Sequence, residues 1–210
     1  EKEMTLIQEK RVLLVGCGGI GGNLANLLVR LGVRHLTIID FDAFDETNLN
    51  RQMFSDVSTI GIMKVDVLKK QLQLINPEIE LFVHKQRIED LGDEVYKNQD
   101  YIIDAVDQPR TKVFLNEVST KYRLPLLHGA CAGWYAQVGW IEPGVLLLKD
   151  LYEDKISGLE DDLRNASFTP ALTAALMVSE FVKYVLDKSG KTVNRLILVD
   201  LLENTIISTG

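Results

Sequence analysis

Residues 11–42, RVLLVGCGGIGGNLANLLVRLGVRHLTIIDFD, decide the fold. The stretch opens with a short, continuous apolar run, which is typical of a parallel strand buried on both faces. Leucines then recur at helical spacing over residues 24–31 until Gly32, a residue that favours the end of a helix. A second apolar run follows at residues 35–40. This order predicts a strand, a glycine-rich turn, a helix and a second strand of the same sheet.

The glycine-rich turn has the spacing of a nucleotide-binding loop. Gly16, Gly18 and Gly21 permit, in this order, a tight turn, the approach of a phosphate to the backbone, and close packing of helix on strand. The N-terminus of the following helix offers N–H groups to an anion. Asp40 ends the second strand, where a carboxylate accepts hydrogen bonds from ribose hydroxyls. The turn therefore predicts a nucleotide site, and the alternative is a purely structural glycine turn.

The rest of the chain continues the alternation of strands and helices. Apolar runs predict strands at 79–83, 101–105 and 125–129, and helical periodicity predicts helices within 60–75 and 108–120. Strands that alternate with helices favour a mostly parallel sheet with right-handed crossovers.

The last third of the chain changes character. Residues 134–148 favour a strand, a Pro-Gly turn and a second strand, and residues 195–208 favour a β-hairpin. Residues 150–167 are polar and predict a surface loop or crossover. Residues 169–186 are apolar on nearly every side, which is typical of a helix in the core or in a subunit interface. The threonine and proline that open this segment suit the N-cap and the first helical position.

We therefore expect an α/β fold: a Rossmann-like, mostly parallel sheet with flanking helices and an antiparallel C-terminal extension of the sheet. No repeat, low-complexity segment or linker interrupts the sequence, so residues 1–210 are expected to form a single domain. Its nucleotide-binding part would span about 11–130, and the part that binds a partner or forms a dimer would span about 131–210.

Composition limits the classes of function. The net charge of −7 argues against a large nucleic-acid interface, which needs clustered cations. No apolar run approaches the roughly 20 residues that span a bilayer, and no signal peptide is recognised, so no membrane partner is expected. Cys17 and Cys131 form neither a disulfide framework nor a CxxC pair, which favours a reducing cytoplasm.

Cations close to the glycine loop distinguish this sequence from a dehydrogenase. Arg51 offers a planar, bidentate donor and Lys64 a mobile point charge. A triphosphate that loses pyrophosphate needs such fixed cations along its leaving group, whereas a dinucleotide does not. Asp107 follows a predicted strand, at the edge of the sheet where ligands of open α/β folds bind, and its carboxylate suits Mg²⁺.

These motifs, in this order, carry a family resemblance. GCGGIGG, IIDFD, NLNRQ, Lys64 and DAVD resemble the MoeB/ThiF/HesA group, the bacterial relatives of ubiquitin-activating enzymes. Residues 11–120 match the group in motif order, and FTPALTAALMVSEFVKYVL is similar to its late helix. The resemblance implies an adenylyltransferase that uses ATP and Mg²⁺. The residues that it would assign to nucleotide and metal are Gly16, Gly18, Gly19 and Gly21 at the phosphates, Asp40 at the ribose, Asp42 near the nucleotide, Asn48, Arg51, Gln52 and Lys64 at the triphosphate, and Asp107 at Mg²⁺.

The resemblance also implies a reaction and its partners. Enzymes of this group adenylate the C-terminal carboxylate of a small, ubiquitin-like β-grasp protein that ends in Gly-Gly. Such sulfur carriers serve the synthesis of thiamine, of the molybdenum or tungsten cofactor, or of cysteine. We therefore expect a homodimer, a sulfur-carrier partner and a sulfur donor such as a cysteine desulfurase. Arg51, Lys64 and Asp107 would be the catalytic residues.

The sequence departs from the group at three places. Gln108 stands where an asparagine usually follows the aspartate, and the first ten residues lack the arginine that relatives lend across a dimer interface. Residues 150–167 contain no cysteine, so neither a structural zinc nor a thioester in that segment is expected.

Several alternatives stay open from sequence. A related enzyme uses ATP to cyclise a modified adenosine in tRNA, but it needs a basic surface that a net charge of −7 does not favour. A non-catalytic module of the same superfamily would have lost Arg51 and Lys64, and a dehydrogenase is the remaining candidate. His128 and Cys131 suit packing positions better than chemistry. The aromatic residues at 134, 135 and 140 could face a partner or pack in the core.

Overall fold

The computed structural model describes residues 2–155, 166–189 and 193–209, and eight strands in these ranges form one sheet. The strands are β1 (Arg11–Val15), β2 (His35–Ile39), β3 (Glu80–His84), β4 (Tyr101–Asp104), β5 (Leu126–Ala132), β6 (Tyr135–Ile141), β7 (Ile197–Asp200) and β8 (Thr205–Ser208). Their spatial order is β3-β2-β1-β4-β5-β6-β7-β8. The first five strands are parallel, and the last three are added antiparallel. The expected fold class is thus confirmed.

Helices cover both faces of this sheet. They are α1 (Lys2–Gln8), α2 (Gly19–Leu31), α3 (Lys64–Ile75), α4 (Pro109–Tyr122), α5 (Leu147–Tyr152) and α6 (Phe168–Val185). Val12 and Leu14 of β1 pack in one core with α2, α3 and α6, whereas Leu13 and Val15 pack in a second core with α4 and α5. The alternation of strand side chains thereby divides the apolar residues into two layers.

The strand order creates a crevice at one edge of the sheet. From β1 the chain builds β2 and β3 on one side and then crosses to β4 on the other side. At such a switch of direction the connections after neighbouring strands diverge, and ligands of open α/β folds bind there.

The second strand predicted within 134–148 is wrong, because the chain forms α5 after the Pro-Gly turn. Asn116 on α4 explains the difference. Its amide donates to the Val145 carbonyl at 2.8 Å, and its Oδ1 accepts the Leu148 N–H at 3.0 Å. A side-chain oxygen that satisfies an N–H in the first turn favours the start of a helix. Leu148 is fully buried in the second core.

The predicted N-cap of the late helix is also wrong. Helix α6 begins at Phe168, so Thr169 lies inside the first turn, and its hydroxyl donates to the Gly133 carbonyl at 2.6 Å. Helix α6 packs against α2, β5 and β6, with one side of its surface left to solvent. The predicted hairpin at 195–208 is confirmed as β7 and β8. Of the predicted loop at 150–167, residues 156–165 lie outside the described residues.

Helix α1 was not anticipated; it packs its Ile7 into the first core. None of the helices within the described residues is long and apolar enough to cross a membrane.

We expect Gly21→Ala to destabilise the fold by more than about 3 kcal/mol or to prevent folding. A Cβ at this position would lie 1.9 Å from the Gly16 carbonyl oxygen, which is backbone and cannot move aside. Gly92→Ala is the matched control, because a Cβ there meets nothing within 4 Å and its φ of −73° is ordinary. Urea unfolding measures both variants, and equal stability of the two would contradict this account.

Candidate active site

A cleft of about 450 Å³ lies at the carboxyl edge of the parallel strands. It is bounded by the turns that follow β1, β2 and β4 and by the first turn of α3. Nine of the eleven predicted site residues line it: Gly16, Gly18, Gly19, Asp40, Asp42, Arg51, Gln52, Lys64 and Asp107. The other two, Gly21 and Asn48, do not line the cleft but support residues that do.

The glycine loop is shaped by two close backbone approaches. Gly16 has φ +95°, and a Cβ there would lie 2.6 Å from the Ala105 carbonyl oxygen after β4. Gly21 packs against Gly16 at the same point. Gly18, in contrast, has open space, since its nearest neighbour would be Gln52 Nε2 at 3.8 Å. Gly18 is also the N-cap of α2 and supplies no side-chain cap, so the first N–H groups of the helix are available to an anion in the cleft.

Asp40 ties this loop to the end of β2. Its carboxylate accepts the Cys17 N–H at 2.6 Å and the Asp42 N–H at 2.8 Å. Burial raises the pKa of Asp40, and the Asp42 N–H and the Lys64 ammonium oppose this rise. Each carboxylate oxygen keeps a second lone pair, so Asp40 can hold the loop and still accept hydrogen bonds from a ribose.

Two cations, Arg51 and Lys64, line the cleft together with the N-terminus of α2. Lys64 is only 6% exposed, and its Nζ donates to Asp42 Oδ2 at 3.2 Å. Arg51 donates through Nη1 to the Thr47 carbonyl at 2.9 Å and to Asn50 at 2.8 Å. Within the described residues its other guanidinium N–H groups have no acceptor. Both side chains are therefore fixed and still able to bind phosphate oxygens.

Asn48 and Gln52 belong to the same turn but differ in their surroundings. Asn48 Oδ1 accepts the Asp45 N–H at 3.1 Å, so this side chain stabilises the turn that carries Arg51, and contact with phosphate stays a prediction. Gln52 lines the cleft, and its Oε1 is buried without a hydrogen-bond partner among the described residues. A buried polar atom without a partner is costly, and a bound ligand would relieve that cost.

A second cavity of about 420 Å³ lies next to the cleft. Asp107 and Cys131 line both, so the two spaces meet at these residues. The walls of the second cavity come from β5, β6, β7 and the end of α5, and they are mostly apolar. Cys131 is 5% exposed at this junction, and Cys17 is buried in the first core.

A buried ionic network lies behind this second cavity. Lys112 Nζ lies 3.3 Å from Asp104 Oδ2, and His128 Nδ1 lies 2.6 Å from the same oxygen. Burial alone would raise the pKa of Asp104, but the Lys112 charge and the His128 hydrogen bond outweigh it, and the pKa is lowered. Burial and Lys112 lower the pKa of His128. The arrangement is thus a carboxylate, an ammonium and a neutral imidazole.

Comparison with known proteins identifies the family of a chain that carries this glycine loop, strand-end aspartate and pair of cations. The model of the ThiF family matches residues 1–209. This chain belongs to the ThiF family. The resemblance in motif order is thereby confirmed.

Curated relatives show which ThiF proteins the chain resembles. Adenylyltransferase and sulfurtransferase MOCS3 of Culex quinquefasciatus is 34% identical over 125 residues, which are 59% of this chain and 28% of that protein. The tRNA threonylcarbamoyladenosine dehydratase of Haemophilus influenzae is 31% identical over 147 residues, which are 69% of this chain and 54% of that protein. The chain thus spans about half or less of the length of these two relatives.

Solved structures share the fold of this chain. The crystal structure of E. coli MccB with ATP matches 99% of this chain and 65% of that chain, with a TM-score of 0.81. The complex of E. coli MccB with AMPCPP and MccA matches with a TM-score of 0.83. Both are 21% identical in sequence, so the likeness concerns the fold alone.

The structure adds cleft residues that sequence reasoning missed in this ThiF chain. Arg87 lies over the Phe41 ring, with Cζ 3.9 Å from the ring centroid, and both residues line the cleft. Thr111 donates to Glu89 at 2.5 Å beside them. Their position after predicted strands could have indicated them. Phe41 follows β2, and Arg87 and Glu89 lie shortly after β3, at the edge of the sheet where ligands of open α/β folds bind.

The donor set fits a magnesium ion that arrives with its nucleotide. Among the described residues no group of three or more His, Cys, Asp or Glu side chains is arranged to hold a metal. Asp107 is exposed at the cleft, where a single carboxylate would complete a coordination sphere of phosphate oxygens and water. Mg²⁺ commonly binds in this way, through one or two carboxylates and substrate phosphates.

Native stability is expected to decrease as the pH falls below about 6.5. Because the pKa of His128 is lowered in the native state, the unfolded chain binds this proton first. The slope would approach ~1.4 kcal/mol per pH unit towards lower pH. Urea unfolding between pH 6.5 and 5.5 measures it for the wild type and for His128→Gln, which keeps a donor for Asp104. The variant should have the smaller slope, and equal slopes would contradict a neutral, buried His128.

Proposed function

We propose that this chain adenylates the C-terminal carboxylate of a small, ubiquitin-like sulfur-carrier protein with ATP. The observation that carries the proposal is the cleft itself, in which a helix N-terminus, Arg51 and Lys64 converge on a space large enough for a nucleotide. A triphosphate is the ligand class that uses all three sources of positive charge. Membership of the ThiF family supports the same reaction.

The charges of the cleft suggest how the nucleotide would lie. The phosphates would bind at Gly18 and Gly19, at the N-terminus of α2, and the ribose at Asp40. The pyrophosphate leaving group would then extend towards Arg51, Gln52 and Lys64. Lys64 is partly neutralised by Asp42, so it would exchange this partner for a phosphate oxygen or share its protons between both.

The reaction would need positioning more than proton transfer. The carboxylate of the carrier is already ionised at neutral pH, so its oxygen attacks the α-phosphorus without a general base. The bond from the α-phosphorus to the bridging oxygen breaks, and pyrophosphate leaves. Arg51 and Lys64 would stabilise the charge that develops on that leaving group. The product is an acyl-adenylate, which a sulfur donor such as a cysteine desulfurase system could convert to a thiocarboxylate.

Asp107 would hold Mg²⁺, and the bound ion would neutralise the charge on the phosphate oxygens. Without the ion, the side chains of this chain would still bind the nucleotide. Asp107 would therefore affect turnover more than nucleotide affinity.

The second cavity offers a route for the carboxylate. It joins the cleft at Asp107 and Cys131, close to where the α-phosphate would lie. Small side chains of β5 and β6, such as Ala130, Ala132 and Ala136, leave room there for an extended peptide. A terminal Gly-Gly segment would fit such a passage better than a bulky one. Cys131 would then be a wall residue and not the nucleophile.

A second candidate is a dehydratase that acts on threonylcarbamoyladenosine in tRNA. The Haemophilus influenzae dehydratase shares 31% identity over 69% of this chain, a larger share than the 59% of the Culex quinquefasciatus MOCS3 match. The net charge of −7 favours a protein substrate over tRNA. Exchange of labelled pyrophosphate into ATP that depends on a Gly-Gly-ended carrier supports the first function. Exchange that depends on modified tRNA supports the second.

Loss of either cation should reduce carrier-dependent ATP–pyrophosphate exchange more than tenfold, because each stabilises the leaving phosphates. The variants are Arg51→Ala and Lys64→Met, and the control is Lys70→Met, an exposed lysine on the same helix as Lys64. Asp107→Asn should lower exchange at ordinary Mg²⁺ and keep ATP binding. Wild-type exchange rates in both cation variants would contradict the proposed phosphate-binding role of Arg51 and Lys64.

A homodimer of about 47 kDa, twice the 23.6 kDa of one chain, is expected in light scattering at micromolar concentration. Helix α6 supports this expectation because it is apolar on several sides and packs on the sheet with only part of its surface. The exposed Phe168 contacts the exposed Trp134, with ring centroids 4.9 Å apart, and extends this apolar area. A stable species of about 24 kDa would contradict the dimer.

A further inference from the structure

The side-chain amide of Gln137 on β6 uses its nitrogen in hydrogen bonds within the protein, whereas its oxygen has no partner among the described residues. It lines the second cavity, and its Nε2 lies 2.9 Å from His128 Nε2 and donates to the Tyr152 hydroxyl. Its carbonyl oxygen Oε1 accepts no hydrogen bond from any described residue, and it is not buried. The cavity therefore has an acceptor that the described residues leave unused.

The buried network of Asp104, Lys112 and His128 determines the orientation of the Gln137 amide. The Asp104 carboxylate binds His128 at Nδ1, so that nitrogen carries the proton, and Nε2 of the neutral ring is an acceptor. An acceptor at Nε2 requires the N–H side of the Gln137 amide to face it. Lys112 completes the network through Asp104 and the Gly129 carbonyl. Rotation of the amide would replace a hydrogen bond by a contact between two acceptors.

The remaining walls are mostly apolar and include four charged side chains. Two carboxylates, Asp107 and Asp200, and two ammonium groups, Lys112 and Lys155, line the cavity. Lys112 is paired with Asp104, and most of the other lining residues are apolar. In a mostly apolar passage the available Gln137 acceptor suits a backbone N–H of an extended peptide, which would otherwise lose its hydrogen bond to water.

We propose that Gln137 Oε1 accepts a hydrogen bond from a backbone N–H of the carrier's terminal segment and so positions its carboxylate. In the sheet register Gln137 lies opposite Ala130, one residue from Cys131 at the junction of the two cavities. Neighbouring residues of a strand are about 3.4 Å apart, so the N–H belongs to one of the last residues of the carrier. Gln137 is thus a positioning residue. This inference rests on the proposed function.

Short synthetic peptides ending in Gly-Gly test the contact in the pyrophosphate-exchange assay. Each backbone nitrogen of the last three residues is N-methylated in turn, which removes one donor at a time. With the wild-type protein, one N-methyl position should raise the KM for peptide about tenfold, which is the usual effect of a lost neutral hydrogen bond. Gln137→Met should raise the KM for the unmodified peptide by a similar factor and leave the KM for ATP unchanged.

The variant and the modified peptide together distinguish a direct contact from a structural effect. In Gln137→Met the sensitive N-methyl group should cause no further increase in KM, because its partner is already absent. Gln73→Met, an exposed residue on α3, is the control and should behave as the wild type. If the wild type shows no sensitive position, or if Gln137→Met keeps full sensitivity, the contact with Gln137 is wrong and the proposed function stands. If no Gly-Gly-ended substrate supports exchange while ATP still binds, the proposed function fails and the contact fails with it.

Discussion

The close approach of α2 to β1 is the constraint on which the rest of this molecule depends. The helix can begin directly above the strand only because Gly21 meets the Gly16 carbonyl without a side chain between them. That contact points the N-terminus of α2 into the cleft and keeps the Gly18 backbone exposed to it. The buried Asp40 carboxylate then fixes the loop to β2 through the Cys17 N–H. The fold and the candidate anion site are therefore both consequences of one piece of backbone geometry.

Charge is distributed unevenly around this frame. The chain is acidic overall, yet Arg51 and Lys64 stand beside a helix N-terminus. Two cations beside a helix N-terminus on an acidic protein favour a small anion over an extended polyanion such as RNA, which needs many clustered cations. Behind the second cavity, in contrast, Asp104 and Lys112 neutralise each other and His128 stays uncharged. One space thus suits a triphosphate, and its mostly apolar neighbour suits the backbone of an extended peptide.

The two cavities lie next to each other near the end of β4, so different strands of the sheet line each of them. The parallel strands end at the cleft, whereas the antiparallel strands β6 and β7 provide the wall of the second cavity. The antiparallel extension therefore contributes directly to a cavity. It supplies a second surface next to the first, with the acceptor of Gln137 one residue from the junction.

The sequence by itself determined the features that depend on neighbouring residues. Glycine spacing, apolar runs and helical periodicity are local, so they predicted the loop and the parallel strands, and the resemblance in motif order implied the cations near the loop. Tertiary structure decided what depends on distant residues. Asn116, 32 positions before Leu148, makes a helix of an apolar run that suits a strand equally well. Packing of distant elements also decides that Trp140 is buried in the core and that Trp134 is exposed at the surface. The orientation of the Gln137 amide needs His128 and Asp104, which no local pattern connects with it.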